Sequence, residues 1–510
     1  MKQQKNQLKI GIVLSYVNMG LGNLIPIFYT PIMLSLLGQS EYGLYKLASS
    51  VTSYLSLISM GLGSAITRYL IKAREEEGKE AEEKMLGLFC LIFNIIAAAA
   101  LIVGTALTMN LHLWYGNSLT DAELARMKIL VFMMVINMAL SFSQSPYLSV
   151  VTAHENFLFY QCMNILSTCV APVLNLVALY AGAASVGMTA VSLAMSILTR
   201  VIYQIYVHKS MDLKPRYRGL PTHMLKDILG FSFWIFIGNI VAQLYNATDT
   251  IMIGMIPALA TTGVAVYNVG GTFNSIMLNL ATGVSNLLVP KANRLVFQGA
   301  SNDELTDLTI RIGRIQCYIV LLIVSGFIAF GESFIFFYAG PEYGDAYWIA
   351  IFMMLPNTVS VIQSACLSII TAQNKHKFRS MVYLGIALLN VVGTWVLMQY
   401  WGIIGAALMT GFALILGQGF TMNWYYHMKT GLDMVRFWKQ IGKVFLIPVI
   451  MSVMTLLISE YIDFYNIPTL LTGIVIYTCV YCVMNWTLVM NDYEKNLCKS
   501  FFMVRFKKIN

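Results

Sequence analysis

The sequence predicts an all-α integral membrane protein of about 14 transmembrane helices, arranged as two pseudo-twofold related six-helix lobes around a central cavity, with two extra C-terminal helices. Three observations predict it. Apolar runs long enough to cross a bilayer recur along the chain. Basic residues sort onto alternate connections between those runs. The first six runs share an ordered set of short motifs with the next six.

Composition sets the class. Hydrophobic residues make up 58% of the 510 and charged residues 11%, against about 25% charged in a typical soluble domain. Mean hydropathy is +0.68. So few charges cannot cover a water-soluble protein of this size, and the main solvent is lipid. Disorder, collagen, coiled coil and a disulfide scaffold are excluded as well. The net charge is +9. The basic residues form no single patch, so nucleic acid is not an expected partner; cytoplasmic loops of membrane proteins carry such an excess. All cysteines but Cys498 lie in apolar runs. Cys479-x-x-Cys482 has redox or zinc spacing, but it stands in IVIYTCVYCVM without ligand partners and reads as packing.

A spanning helix needs about 20 apolar residues. That ruler places spans at 10–37, 42–70, 85–112, 125–152, 157–181, 185–207, 229–257, 261–290, 311–337, 347–372, 380–400, 403–427, 440–460 and 467–490. The first run is too long for a signal peptide and lacks a small-x-small cleavage site, so it reads as a retained span. With the N-terminus inside, all of the 33 Lys and Arg except Lys46, Arg126 and Lys128 fall on the cytoplasmic side or at helix ends flanking it. Both termini are then cytoplasmic. Among the carboxylates, Asp249 alone lies well inside a span, and such a charge tends to face a partner or an aqueous cavity.

The repeat is collinear. Gly22-Asn-Leu-Ile-x-x-Phe-Tyr29 matches Gly238-Asn-Ile-Val-x-x-Leu-Tyr245. Tyr45 precedes Gly61 as Tyr267 precedes Gly283. Gln144-Ser-x-x-Leu-Ser-Val-Val-Thr-Ala153 matches Gln363-Ser-x-x-Leu-Ser-Ile-Ile-Thr-Ala372, and Leu174-Asn175 matches Leu389-Asn390. The offset covers six spans, an even number, so the repeat is parallel. It predicts an N-lobe at 1–208, a cytoplasmic linker at 209–228, a C-lobe at 229–427, two further helices at 428–490 and a cytoplasmic tail at 491–510.

Polar stripes nominate the site. The eighth span carries Asn268, Thr272, Ser275, Asn279, Thr282 and Asn286 at spacings of 4 and 3, all on one helical face. The second span carries Lys46, Ser50, Ser53 and Ser64, and the seventh Asn239, Gln243, Asn246 and Thr250. Helix-to-helix glue is one reading, at about 0.6 kcal/mol per bond. The length of the eighth-span stripe favours a wet cavity, with Ser50 and Ser53 opposite it. Hydroxyls and amides without charge suit a ligand rich in hydroxyls, such as a glycan. Lys46 and Asp249 are read as a charged outer gate or coupling pair, since both lie roughly 6–11 Å inside the outer boundary at 1.5 Å per residue. The alternative stays open that Asp249 bonds hydroxyls within its own lobe while Lys46 snorkels outward. No catalytic constellation, nucleotide loop, cofactor motif or metal-spaced cluster appears in the sequence.

The segments Gln39-Ser-Glu-Tyr-Gly-Leu-Tyr45 and Met60-Gly-Leu-Gly-Ser-Ala-Ile-Thr-Arg68 resemble the helix 1–2 signature of bacterial polysaccharide repeat-unit flippases, the Wzx-type polysaccharide transporters. Thr152-Ala-His-Glu-Asn156, Thr371-Ala-Gln-Asn-Lys375 and Asp249-x-x-x-x-Gly254 are similar to further segments of that family. The family belongs to the multidrug/oligosaccharidyl-lipid/polysaccharide exporter superfamily. The resemblance implies a non-enzymatic flippase of the bacterial cytoplasmic membrane. Its implied cargo is an undecaprenyl-diphosphate-linked oligosaccharide, with membrane lipids and the polymerase and glycosyltransferases of the same pathway as further partners. Arg68, near the inner mouth, is the expected diphosphate contact. The chain departs from the superfamily's peptidoglycan-precursor flippases, which carry several cavity cations; Lys46 is the one such cation here, away from the cytoplasmic ends. Two alternatives stand beside this reading. One is a cation-coupled small-molecule exporter, for which Asp249 speaks. The other is a membrane glycosyltransferase or polymerase, which would need an acidic pair or a large outer loop.

Overall fold

The structure is a computed structural model. It describes the backbone of residues 2–373, 375–497 and 499, and their side chains except at 2–9, 12, 234, 282–292, 376 and 377. Every regular element among the described residues is helical. In chain order these are α1 (Lys2–Leu37), α2 (Gln39–Ser53), α3 (Gly63–Glu77), α4 (Lys79–Met109), α5 (Leu111–Tyr115), α6 (Asp121–Ala153), α7 (Phe157–Tyr180), α8 (Ala184–Ile205), α9 (Leu225–Asn246), α10 (Thr248–Gly254), α11 (Ala260–Phe297), α12 (Asn302–Ala339), α13 (Ala346–Ile362), α14 (Ser364–Ala372), α15 (His376–Leu414), α16 (Met422–Thr430), α17 (Met434–Ile458) and α18 (Ile467–Met484). A helix satisfies its backbone N–H and C=O groups internally, which hydrocarbon demands.

Start signals are local. α6 opens at a capping box in which Thr120 and Glu123 exchange bonds, and α12 at one made by Ser301 and Glu304. Apolar side chains then face both inward and outward. Phe89 and Phe93 are buried, while Ile102, Val177 and Val392 are exposed. An outer surface of that kind fits lipid rather than water.

Ten helices among the described residues are long and apolar enough to cross a membrane, or eleven if α13 and α14 form one bent span. The chain is therefore a multi-pass membrane protein, and this count among the described residues does not confirm the 14 spans expected. Three places account for the difference. The stretch 42–70 is not one helix: a 3-10 turn at Tyr54–Ser59 and left-handed Met60 (φ 47°) and Gly61 (φ 71°) separate α2 from α3. The two pieces have 15 residues each, short of a span of about 20. Gly61-Leu-Gly63 thus lies at a break between the two helices. The stretch 261–290 falls in α11, part of which lies outside the described side chains. The stretches 380–400 and 403–427 join into one helical run, Phe378–Thr430, of 53 residues. Straight, it would be about 80 Å long against a hydrocarbon core of about 30 Å. It is instead a hairpin. Gly402 turns the chain at φ 56°, ψ −139°, a conformation open to glycine because it lacks a Cβ. Across the hairpin Thr410 donates to Asn390 Oδ1 at 3.3 Å.

The chain divides into two compact units, Met1–Asn268 and Val269–Asn510, with the boundary inside α11. In unit 1, α3, α4 and α6 pack around Leu70, Phe89, Phe93, Val150 and Val151. The segment expected as a linker is tied to α4. Arg216 pairs with Glu83 at 2.7 Å. Lys79 donates to Asp212 at 2.7 Å, and that bond holds the Asp212 carboxyl below its usual range. In unit 2, α12, α14, α16 and α17 pack around Ile312, Cys317, Ile369 and Phe437. Phe330, Phe464 and Tyr477 join α12 to α17 and α18.

Candidate functional site

Within unit 1, α2, α6 and α8 enclose a cavity of about 360 Å³. α2 contributes Tyr45, Ser49, Thr52 and Ser53. α6 contributes Asn137 and Ser141, and α8 contributes Thr189 and Ser192. Met134, Met138 and Phe142 complete the wall. None of these side chains is charged.

Five of the seven hydroxyls in this wall already place their proton on a backbone carbonyl. Thr52 donates to Ala48 O at 2.8 Å, Ser53 to Ser50 O at 2.7 Å and Ser141 to Asn137 O at 3.0 Å. Thr189 donates to Ser185 O at 2.9 Å and Ser192 to Met188 O at 3.0 Å. A hydroxyl has one proton and two lone pairs. With the proton on its own helix, it presents lone pairs to a guest. Asn137 Oδ1 is buried with no hydrogen-bond partner among the described residues. The cavity is neutral and rich in acceptors.

The two α8 residues in the wall, Thr189 and Ser192, belong to a polar row of Ser185, Thr189, Ser192, Ser196 and Thr199 at spacings of 4 and 3. The sequence reading missed Thr189 and Ser192, although the rule that selects the eighth span would have found them.

The residues expected to line one cavity are placed within their own units as follows. Ser53 lines the cavity described; Ser50 is half-buried beside it. Ser53 shares its one proton between Ser50 O and Gln243 Oε1, the latter at 3.1 Å, and Gln243 Nε2 donates to Ser56 Oγ at 3.1 Å. The Tyr54 and Thr248 hydroxyls bond one another nearby. Gln243 thus joins α9 to the end of α2. Asn239 and Asn246 are exposed. Asn268 donates to Thr250 Oγ1 at 3.2 Å and to Val264 O at 2.9 Å. Thr272, Ser275 and Asn279 belong to unit 2: Thr272 is half-buried, Ser275 and Asn279 are exposed, and Ser275 donates to Gly271 O at 3.0 Å. The Thr282 side chain lies outside the described residues.

The charges are also placed separately. Asp249 is buried, and its Oδ2 accepts the Tyr267 hydroxyl at 2.5 Å. The Lys46 ammonium lies 5.5 Å from the centre of the Tyr42 ring. Among the described residues no ion pair joins Lys46 to Asp249. At the same end of α2, Glu123 Oε1 accepts from Ser40 at 2.8 Å and from Thr261 at 3.1 Å. Gly43 permits this approach, since a Cβ there would come within 1.8 Å of Thr261 O. Arg68 is exposed, with its guanidinium 4.6 Å from the centre of the Phe231 ring.

The sequence model of one protein family, described as polysaccharide biosynthesis protein, matches residues 8–294. Among solved structures, the lipid II flippase MurJ is similar over 94% of this chain and 100% of its own, at 16% identity and a TM-score of 0.74. An inward-facing multidrug resistance MATE family transporter of the MOP superfamily is similar over 82% of this chain and 99% of its own, at 13% identity and a TM-score of 0.63. The Vibrio cholerae MATE transporter VcmN is similar over 85% and 99%, at 16% identity and a TM-score of 0.57. These likenesses show a shared fold. No curated protein matches the chain by sequence.

Proposed function

The chain belongs to the polysaccharide biosynthesis protein family, and from that premise we propose that it is a flippase for an undecaprenyl-diphosphate-linked oligosaccharide repeat unit in the bacterial cytoplasmic membrane. The observation that carries the reading is the neutral, acceptor-rich cavity between α2, α6 and α8. Sugar hydroxyls arrive with protons to donate, and this wall has lone pairs to receive them. Crossing bare hydrocarbon would leave each of those hydroxyls unpaired, at several kcal/mol apiece. An organic cation would find no carboxylate in this cavity wall.

Two further features support an amphiphilic cargo. In unit 2, α17, α18 and Phe330 of α12 line a cavity of about 760 Å³ made mostly of apolar side chains, a fitting surface for a polyprenyl tail. Arg68, exposed and without a carboxylate within 4 Å among the described residues, is a suitable diphosphate contact.

Reconstitution tests the proposal. Vesicles carrying the protein and a lipid-linked oligosaccharide on one leaflet are sampled with a glycosidase added to the other. Cleavage that grows with time supports the reading, and protein-independent cleavage rejects it. A second reading, a cation-coupled exporter, rests on the buried Asp249. It requires uptake of a cationic dye driven by a proton or sodium gradient and abolished by Asp249→Asn.

A further inference from the structure

Two stretches of this chain carry nearly the same sequence and hold different shapes. Gln144-Ser-x-x-Leu-Ser-Val-Val-Thr-Ala153 lies within α6, which runs unbroken from Asp121 to Ala153. Gln363-Ser-x-x-Leu-Ser-Ile-Ile-Thr-Ala372 opens at a break. There α13 gives way to α14 with a bend of 46°, and Gln363 takes φ −89°, ψ 9°.

Local sequence predicts the reverse. The unbroken copy contains Pro146, whose ring removes a backbone donor and disfavours a continuous helix. The bent copy has Ala365 at that place. The bend therefore comes from the surroundings.

Those surroundings are polar on both sides of the break. Gln363 Nε2 donates to Asn423 Oδ1 at 2.7 Å. Ser364 and Gln316 of α12 exchange bonds of 2.8 and 3.0 Å. Asn423 Oδ1 also accepts from Trp438 Nε1 at 2.7 Å, while its Nδ2 donates to Gln418 O and Gly419 O at 2.9 and 2.7 Å. Both carbonyls belong to a π-helical turn, Ile415–Thr421, a feature that often marks functional sites. One amide thus ties the bend of one helix to the irregular turn of another. In the unbroken copy Ser145 donates back to Ser141 of its own helix at 3.2 Å.

We infer that Gln363 is a hinge between α13 and α14, with the unbroken helix of the Gln144 copy as the pattern of its second state. Asn423 and Gln316 hold the bent state. Straightening swings the far end of α14, nine residues long, by roughly 10 Å at 1.5 Å per residue. It also draws Cys366, Ile369 and Ile370 from their core, so the bent form is the resting one.

The test reads shape, so its outcome is independent of the cargo. Spin labels are attached through encoded azide side chains at Thr371 and Asp303, both exposed and both in unit 2. Pulsed dipolar spectroscopy then gives their distances in lipid nanodiscs. Two populations several ångströms apart are expected. Gln363→Met and Ser364→Ala should each raise the minor population relative to the major by roughly threefold, the weight of one typical hydrogen bond in a membrane. Cooperative melting of each variant separates this shift from unfolding. A single population that persists in both variants overturns the hinge, and so does a pair of populations whose ratio ignores both substitutions.

Discussion

Tyr267 donates its hydroxyl to Asp249 Oδ2 at 2.5 Å, eighteen residues along the chain. The carboxylate that the sequence places deepest in a span is thus answered by a neighbouring hydroxyl, with Lys46 set apart over Tyr42. Hydrogen bonds to charged groups are worth about 1.5–3 kcal/mol in soluble proteins, and those inside membranes reach about 1.7 kcal/mol. Tyr267→Phe should lower stability by about 1–2 kcal/mol in denaturant unfolding. A double-mutant cycle between Lys46→Met and Asp249→Asn should show coupling below about 0.5 kcal/mol, as for groups without direct contact. Coupling above about 1 kcal/mol would support the charged gate.

The cavity hydroxyls can be removed without disturbing the fold. Thr189→Val keeps the side-chain shape and loses a bond to the helix's own carbonyl. Stability should fall by about 0.5–1.5 kcal/mol, the net weight of one intramolecular hydrogen bond. Flipping of the lipid-linked oligosaccharide should fall several-fold, and further with Ser192→Ala added. Unchanged flipping in the double variant would remove this cavity from the cargo path.

Unit 2 holds a buried charge cluster outside the sequence-derived site. Arg314 Nε donates to Glu494 Oε1 at 2.5 Å and Nη2 to Oε2 at 3.0 Å. The same guanidinium reaches Gln440 O, Val489 O and the Tyr318 hydroxyl. This ties α12, α17 and the end of the last span to the segment that follows it. Breaking one partner of a buried pair costs about 3–5 kcal/mol because the other charge is stranded. Glu494→Leu should therefore lower the melting temperature clearly, while joint replacement of Arg314 and Glu494 by Met and Leu should recover much of the loss. Equal melting of the single and double variants would contradict this.

Gly43 faces the backbone of Thr261 at a distance no Cβ tolerates. Gly43→Ala forces the two helices apart, and overpacking of this kind costs about 1–3 kcal/mol. It should also break the Glu123 bonds to Ser40 and Thr261. Cysteines at Ser40 and Thr261 report this: their disulfide should form readily in the native background and slowly beside Gly43→Ala.

The stripe residues show how far pattern reading reaches. A spacing of 4 and 3 identifies a polar helical face, and the same rule applies to Thr189 and Ser192 as to Asn268 and Ser275. It cannot say what the face meets. Gln243 was nominated for a cavity and spends its amide on Ser53 and Ser56. Asn239 and Asn246, on the same helix face, are exposed. Periodicity is a property of one helix, whereas a hydrogen-bond partner is a property of two.

The helical membrane fold, the turn near Gly402 and the repeat were determined by the sequence itself. Each follows from solvation or local geometry: apolar runs must find lipid, their backbones must bond internally, and Gly402 must turn where a continuous helix would outrun the bilayer. The shape of each repeated motif was decided by the tertiary structure. Gln144 and Gln363 head almost the same ten residues, yet one lies within an unbroken helix and the other at a bend of 46°. The ten residues leave both conformations accessible, and the bonds from Asn423 and Gln316, contributed by helices remote in sequence, select the bent one.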